Sequence, residues 1–413
     1  MKDTESASGY RRLTLETVGA YVGATGPLRG IIDGDSLAEA AEIGDGNLNL
    51  VFILKDRARR GLVLKQALPY VRLVGPSWPL PVDRAQREAE ALRTYAGFAP
   101  DLVPKLYHFD PRLFVVALED LSDHQVWRSA LNAGERHEGV ASDLGLFVAR
   151  LAFHTSAFGL GAEAERAALA RSINSELRVI TEDLVFSEPY VGSPRNSVLR
   201  ENVKDVQALA NDAAMVREVG WLKWQFMTEA EALIHGDLHT GSVMVREAGD
   251  GRERSTKVID PEFAFYGPVG FDIGALWANY ILAAARAVAL GEGERAAWCL
   301  GLIGETWDSF YGEFEALWPG VRDDRVFTTA TLRQYVDKVK VDSWGFAATK
   351  VARRIVGLAK VSDIETLGEP VRVGAARGAL RAARTMAVAR HRSPGIEGMV
   401  DEIGSLLVES ATC

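Results

Sequence analysis

The sequence predicts an α+β chain of two lobes, a small β-rich N-terminal lobe over residues 1–121 and a large, mainly helical lobe over residues 122–413. Three observations predict it. Between about residues 36 and 120, short apolar runs alternate with turn residues and enclose a single helical stretch. From about residue 125 onward the apolar residues recur at helical spacing. Two acids, Asp237 and Asp260, each follow a strand-like apolar run, where a loop would present them to a ligand.

Within the first lobe, Ala38–Ile43 and Leu50–Lys55 flank the turn Gly44-Asp45-Gly46-Asn47-Leu48-Asn49, whose glycines and asparagines supply positive φ. Gly61–Leu68 is a third strand. Asp83–Tyr95 reads as a helix, with Asp83 able to cap it and Ala85, Ala89, Leu92 and Tyr95 near one face. Leu113–Leu118 is a further strand, ending in Glu119-Asp120-Leu121. An N-terminal helical extension precedes the strands.

In the second lobe Leu144–Phe158, Gly270–Gly291, Ala296–Trp318, Val326–Leu358 and Arg377–Arg390 read as helical. Leu233–Ile234, Val243–Val245 and Lys257–Ile259 read as short strands around the two acids. Gly274–Gly291 is the most membrane-like run, but it carries Asn279 and Arg286, so a buried helix is expected and no membrane partner.

At 413 residues the chain is long enough for two lobes and a sizeable core. Its 47% hydrophobic and 25% charged residues are those of a globular protein. A formal net charge of −9 argues against a nucleic-acid partner. Cys299 and Cys413 form no disulfide framework or zinc spacing, and Met1–Tyr10 lacks the apolar run of a secretion signal, so a cytoplasmic location is expected.

The chemistry concentrates in His235-Gly236-Asp237-Leu238-His239-Thr240-Gly241-Ser242 and Asp260-Pro261-Glu262. One aspartate to orient a hydroxyl and a second to hold magnesium is the layout of a kinase site. Asp237 is the candidate base; a carboxylate about 3 Å from an acceptor hydroxyl can take its proton. His235 and His239 lack further ligands for a metal site; His235 is expected to brace the loop and His239 to lie near the reacting groups. Small-molecule kinases often carry a magnesium-binding asparagine five residues after the aspartate. Here Ser242 stands there, and Glu262 offers a compensating carboxylate beside Asp260.

Lys65 interrupts an apolar strand and needs an anion. The reading pairs it with nucleotide phosphates and with Glu88, or failing that Glu90, since only one of the two can face the cleft. The Gly44, Asp45, Gly46 and Asn47 amides can approach triphosphate oxygens. Glu119, Asp120 and Leu121 form the segment that would pass the adenine. Asp272 is read as the cap of the following helix; the alternative is a tie to the catalytic loop through backbone amides. Of Arg353 and Arg354, one is expected to face inward, where an arginine fork suits phosphate or sugar oxygens. Arg377, Arg381 and Arg384 read as a solvated stripe, and His154 as a core or interface histidine. A β-rich lobe before a helical one, with acids at their junction, is protein-kinase-like.

The catalytic string, Asp260-Pro261-Glu262-Phe263-Ala264-Phe265-Tyr266-Gly267-Pro268, Lys65–Arg72, Ser77–Leu80 and Ala352–Leu358 together resemble the 5-methylthioribose kinases, in the superfamily of aminoglycoside phosphotransferases and choline kinases. The resemblance runs from about residue 40 to 370. It implies a protein-kinase-like fold, ATP and Mg2+ as cosubstrate and cofactor, a small-molecule sugar substrate and a homodimer. The implied reaction phosphorylates the anomeric O1 of 5-methylthioribose in methionine salvage. Asp237, Arg353, Arg354 and Asn47 would meet the sugar or the transferred phosphate, Lys65 the nucleotide, and Asp260 and Glu262 the metal. Pro76 stands where the family suggests Glu, Lys360 where it suggests His, and about the first 35 residues match poorly. The alternatives are a same-fold kinase for another 5-substituted ribose, such as 5-deoxyribose, and a nucleotide-binding module without catalysis.

Overall fold

A computed structural model describes residues 9–43, 48–72, 74–249, 251–392 and 395–411. The chain forms two compact units, Met1–His124 with Lys257–Ala264, and Gln125–Thr256 with Phe265–Cys413. The predicted fold class is observed, a small antiparallel sheet region and a large helical region.

The first unit is built on a five-stranded sheet: β1 (Leu37–Ile43), β2 (Asn49–Asp56), β3 (Gly61–Ala67), β4 (Leu106–Asp110) and β5 (Val115–Leu118), in the order β1-β2-β3-β5-β4. Every pairing is antiparallel. Side chains alternate across such a sheet, so the two faces separate cleanly. Leu50, Phe52, Leu54, Leu62 and Leu64 are wholly buried on one face. The N-terminal extension covers them: Leu13, Leu28, Ile32 and, from helix α1 (Val18–Ala24), Val18, Tyr21 and Val22 join the same core. Gln66 pins the extension, accepting from Leu13 N at 2.8 Å and donating to Arg11 O at 2.9 Å. Lys65, one residue out of phase with Leu64, faces the opposite way, toward helix α2 (Arg84–Phe98).

The boundaries lie within four residues of expectation, except that the helix expected from Arg377 begins eight residues earlier, at Glu369. Strand β4 was not foreseen, because Leu106-Tyr107-His108-Phe109-Asp110 is half-buried throughout and shows no clean alternation. Asp83 is a correction. It precedes α2 but makes no capping bond, having helical dihedrals itself, and it pairs instead with Arg87 at 3.7 Å.

The second unit carries α3 (Trp127–Ala133), α4 (Val140–His154), α5 (Ala162–Arg171), α6 (Ser175–Thr181), α7 (Glu188–Val191), α8 (Val203–Ala210) and α9 (Ala213–Thr228). The larger helices follow: α10 (Gly270–Ala289), α11 (Gly293–Leu317), α12 (Thr329–Val356), α13 (Ser362–Glu365), α14 (Glu369–Ala389) and α15 (Ile396–Ala411). Short strands are β6 (Gln125–Val126), paired with β8 (Val243–Arg246), and β7 (Ala232–Ile234), paired with β10 (Phe265–Gly267). Strand β9 (Ser255–Val258) lies where the chain passes between units.

Helix α10 is apolar on nearly every side and is buried along almost its whole length, as an all-round hydrophobic helix must be. Among the described residues no helix is long and apolar enough to cross a membrane. Helix α12 packs against α10 at glycine contacts: a methyl group at Gly274 would lie 2.6 Å from Ser343 O and 2.8 Å from Ala347 N. The Arg377–Arg381–Arg384 stripe is not merely solvated. Each arginine is paired, with Asp205 (3.2 Å), Glu409 (3.1 Å) and Asp212 (2.5 Å) respectively, because acids on α8, α15 and the start of α9 meet that face. His154 is only partly buried, and burial followed by Arg150 lowers its pKa.

Gly274→Ala is expected to destabilise the protein by about 1–3 kcal/mol, the usual cost of forcing a methyl group between packed backbones. A urea unfolding curve with a lower midpoint and unchanged slope is the check.

Candidate functional site

In the sheet unit a lysine is surrounded by acids. Lys65 Nζ donates to Glu88 Oε1 at 2.9 Å and to Asp260 Oδ1 at 2.8 Å. Glu90 turns outward and accepts from Gln86 at 2.7 Å, as the helical rotation between residues 88 and 90 requires. Burial opposes the Lys65 ammonium, yet the carboxylates of Asp260, Glu88 and Glu262 outweigh it and raise its pKa. Burial raises the Glu88 carboxyl, with Lys65 opposing.

Asp260 adopts left-handed backbone, φ 62° and ψ 47°, ahead of the turn Pro261–Phe263. Aspartate tolerates that region better than most residues, and strain of this kind gathers at functional positions. Its side chain remains 49% exposed although Lys65 holds one oxygen. Glu262 is buried; its Oε2 accepts from Asn49 Nδ2 at 2.9 Å and lies 3.4 Å from Arg84 Nε. Arg84 was not singled out by the sequence reading. It donates to Leu48 O and Asn49 Oδ1, both at 2.9 Å, and to Leu68 O at 2.8 Å, and so fixes the last two residues of the predicted turn. Gly44, Asp45, Gly46 and Asn47 themselves lie outside the described residues.

Glu119, Asp120 and Leu121 follow β5. Glu119 N donates to Lys105 O at 2.9 Å, and Asp120 Oδ1 accepts from Ser122 N at 2.9 Å. Gly61 permits this: a methyl group there would overlap the Asp120 carboxylate at 2.0 Å.

In the helical unit the loop after β7 carries Asp237. Asp272, in the first turn of α10, accepts from His235 N at 2.6 Å and Gly236 N at 3.0 Å. The preferred capping role therefore gives way to the alternative, because both carboxylate oxygens are spent on loop amides. Burial lifts the Asp272 carboxyl, opposed by His235 and the two amide bonds. His235 is fully buried and its Nδ1 accepts from Asp237 N at 3.3 Å, so it braces the loop from within. Gly236 has φ +80°, which glycine meets without strain. Ser242 Oγ donates to Asp237 O at 3.2 Å and lies 3.1 Å from His239 Nδ1, so its hydroxyl is engaged within the loop.

Around the Asp237 carboxylate the second unit gathers cations. Lys350 Nζ donates to Oδ1 at 2.8 Å, Arg353 Nη2 lies 3.5 Å from the same oxygen, and His239 Nε2 lies 3.5 Å from Oδ2. Arg353 and Arg354 are both only 7% exposed, which corrects the expectation that one alone would turn inward. Both fit inside because α12 ends there: Gly357 N donates to Arg353 O at 2.8 Å, and Arg354 Nη1 donates to Ala359 O at 3.2 Å. Burial works against the Asp237 anion, but the charges of Lys350, Arg353 and Arg354 hold its pKa well below the carboxylate range. Burial, reinforced by Arg128, Arg354 and Lys350, pushes the His239 imidazole well down, so it is neutral. Arg353 Nε is buried without a hydrogen-bond partner.

Sequence reasoning missed Lys350 and Arg128. The spacing Lys350–Arg353–Arg354 was a readable signal, since residues three and four apart share a helix face. Arg128 gave none. It reaches the loop from α3, donating to Asn279 Oδ1 at 2.7 Å, and a methyl group at Gly241 would lie 2.6 Å from its Nη1. Lys360, where the family suggests His, donates to Ser197 O and Ile355 O. Pro76, the other departure, is exposed. A separate acidic group, Glu229, Glu231 and Asp342, already has a cation, Lys338 Nζ, bonded to all three.

Residues 39–312 match the model of the Phosphotransferase enzyme family. The class is therefore that of phosphoryl-transferring enzymes. The chain is 42% identical over 401 residues to the methylthioribose kinase of Geobacillus kaustophilus (strain HTA426), spanning 95% of this chain and 97% of that protein. It is 41% identical over 384 residues to the methylthioribose kinase of Yersinia enterocolitica, spanning 90% and 94%. A solved choline/ethanolamine kinase family protein from Mesorhizobium loti aligns over 94% of this chain and 99% of its own, with 15% identity and a TM-score of 0.44. The chain belongs to the methylthioribose kinase family and is a kinase.

Asp272→Asn keeps one acceptor oxygen and turns an amide NH2 against a loop N–H. A stability loss of about 1–3 kcal/mol is expected by urea unfolding, together with a fall in turnover of at least about tenfold because the loop loses its register.

Proposed function

We propose that this enzyme transfers the γ-phosphoryl group of ATP to the anomeric O1 of 5-methylthioribose, giving 5-methylthioribose 1-phosphate and ADP, in methionine salvage. The observation that carries the reading is the setting of Asp237, a carboxylate kept ionised amid Lys350, Arg353 and Arg354. Such a group can orient a hydroxyl, and the surrounding surplus of buried positive charge suits an anion with several oxygens, such as a phosphate. The partnerless Arg353 Nε supports the same assignment.

Chemically, the O1–P bond forms as the bond from phosphorus to the β,γ-bridging oxygen breaks. The O1 proton passes to Asp237, and the bridging electrons leave with ADP. An anomeric hydroxyl is more acidic than an ordinary alcohol, so a single carboxylate suffices as base. Arg353 and Arg354 neutralise charge on the transferred group, and neutral His239 is suited to hydrogen-bond a sugar hydroxyl beside Asp237 Oδ2.

Lys65, steadied by Glu88, is assigned to the nucleotide phosphates, and the Gly44–Asn47 turn and the Glu119–Leu121 segment to the rest of ATP. Magnesium supplies charge neutralisation at the phosphates when bound. The donor set fits a hard cation. Asp260 offers a carboxylate still half exposed, and Glu262 adds a second whose Oε2 is steadied by Asn49 and Arg84. We extend the reading to a homodimer, which the family resemblance supports, and to a cytoplasmic location, which the absence of a disulfide framework supports.

Two measurements test it. Asp237→Asn is expected to lower turnover by about 10²–10⁴ while ATP still raises the melting temperature; unchanged turnover removes Asp237 from its role. A phosphorylation screen over 5-methylthioribose and 5-deoxyribose, with the product position assigned by phosphorus NMR, is expected to favour the first at O1. A strong preference for 5-deoxyribose would move the assignment to the other 5-substituted ribose.

A further inference from the structure

We infer that Lys350 is a positioning residue for phosphoryl transfer: its ammonium clamps Oδ1 of Asp237 and leaves Oδ2 to receive the acceptor proton. The inference rests on Asp237 acting as base. The two carboxylate oxygens are differently occupied. Lys350 Nζ at 2.8 Å and Arg353 Nη2 at 3.5 Å both address Oδ1, whereas Oδ2 faces only the neutral His239 ring, 3.5 Å away, among these groups. A carboxylate bonded so unevenly cannot flip about its terminal torsion without giving up a charge-assisted bond.

Lys350 is itself immobilised. It is 4% exposed, and its Nζ lies 4.4 Å from the centroid of the Phe271 ring, a cation–π contact with α10. A lysine with no anion would not stay charged there. Among the described residues its one carboxylate bond is to Asp237, so the ammonium and the base depend on each other.

Charged and titratable groups reach this pair from every side. The loop supplies His235 and His239, α10 supplies Asp272, α3 supplies Arg128, and α12 supplies Arg353 and Arg354. For Lys350 the balance is burial first, then Arg353 and Arg354, against the attraction of Asp237, and it leaves the ammonium pKa at about 8. The sign follows directly. Below about pH 8 the clamp is charged; as pH rises through that value the ammonium loses its proton and Oδ1 loses its charged partner. The kcat/KM profile should therefore fall on its alkaline side near pH 8, a limb that belongs to Lys350 and not to the sugar.

The test compares kcat and KM between pH 5 and 10 for wild type, Lys350→Met, Lys350→Arg and Asp237→Asn, each checked for cooperative unfolding. Lys350→Met keeps the length of the side chain and its contact with Phe271. It is expected to lower kcat at pH 7 by about 10–100-fold with KM for the sugar changed less than about threefold. It should also move the acid limb upward, because Asp237 has lost its nearest cation, and abolish the alkaline limb. Lys350→Arg keeps the charge and should carry the alkaline limb above about pH 9. Wild-type kcat and limbs in folded Lys350→Met overturn the inference. Should Lys350→Met fail to fold, the inference falls if wild type lacks the alkaline limb or Lys350→Arg leaves it unmoved. Asp237→Asn separates the two ideas: an inactive Asp237→Asn beside an unaffected Lys350→Met sinks the clamp alone, and an active Asp237→Asn sinks the base itself.

Discussion

A carboxylate of the helical unit must remain ionised where little water reaches it, and much of that unit answers to this constraint. Asp237 is 23% exposed and stays charged because Lys350, Arg353 and Arg354 surround it. Those cations need their own anchorage. They stand on α12, which can lie close to α10 because Gly270 and Gly274 present no side chain to it. The loop that carries Asp237 is in turn held by Asp272 from α10. The two central helices thus hold both the loop that carries Asp237 and the cations that neutralise it, and their packing sets the electrostatics around that carboxylate.

The sheet unit solves the reverse problem. Lys65 is buried, and its charge is kept by Glu88, Asp260 and Glu262. One cation among three acids is an environment ready for a further positive charge, which supports the proposed placing of a magnesium-bound nucleotide on that side. The N-terminal extension lies mainly on the other side of the sheet. Its apolar residues close the opposite face of the sheet, and Gln66, next to Lys65, ties it down. Setting aside about 35 residues as poorly matched missed this role, because the burial of Leu13, Val18 and Val22 is against strands distant in sequence.

The particular residues show how far local pattern reaches. Alternation in Leu50–Lys55 and Gly61–Leu68 was enough to place two strands and to set Lys65 out of phase with its leucines. Helical rotation was enough to state that Glu88 and Glu90 could not both face Lys65, but not which one did. Asp83 and Asp272 both stood before helices and looked like caps, yet one has helical dihedrals and the other spends its oxygens on a loop 36 residues earlier. Arg353 and Arg354 looked half solvated, because a pair of adjacent arginines on an apolar helix ordinarily sends one outward.

By itself the sequence determined the reaction class and the fold class, because those depend on residue types at short spacing: the acid-bearing loop, the Asp-Pro-Glu turn, the period of the strands and helices. Only the tertiary structure decided what each charge meets. Lys350 is 113 residues from Asp237 and Arg128 is 151 residues from Asn279, and no local signal encodes such meetings. They arise from the packing of whole helices, which brings together charges that are far apart along the chain and lowers the exposure that would otherwise have screened them.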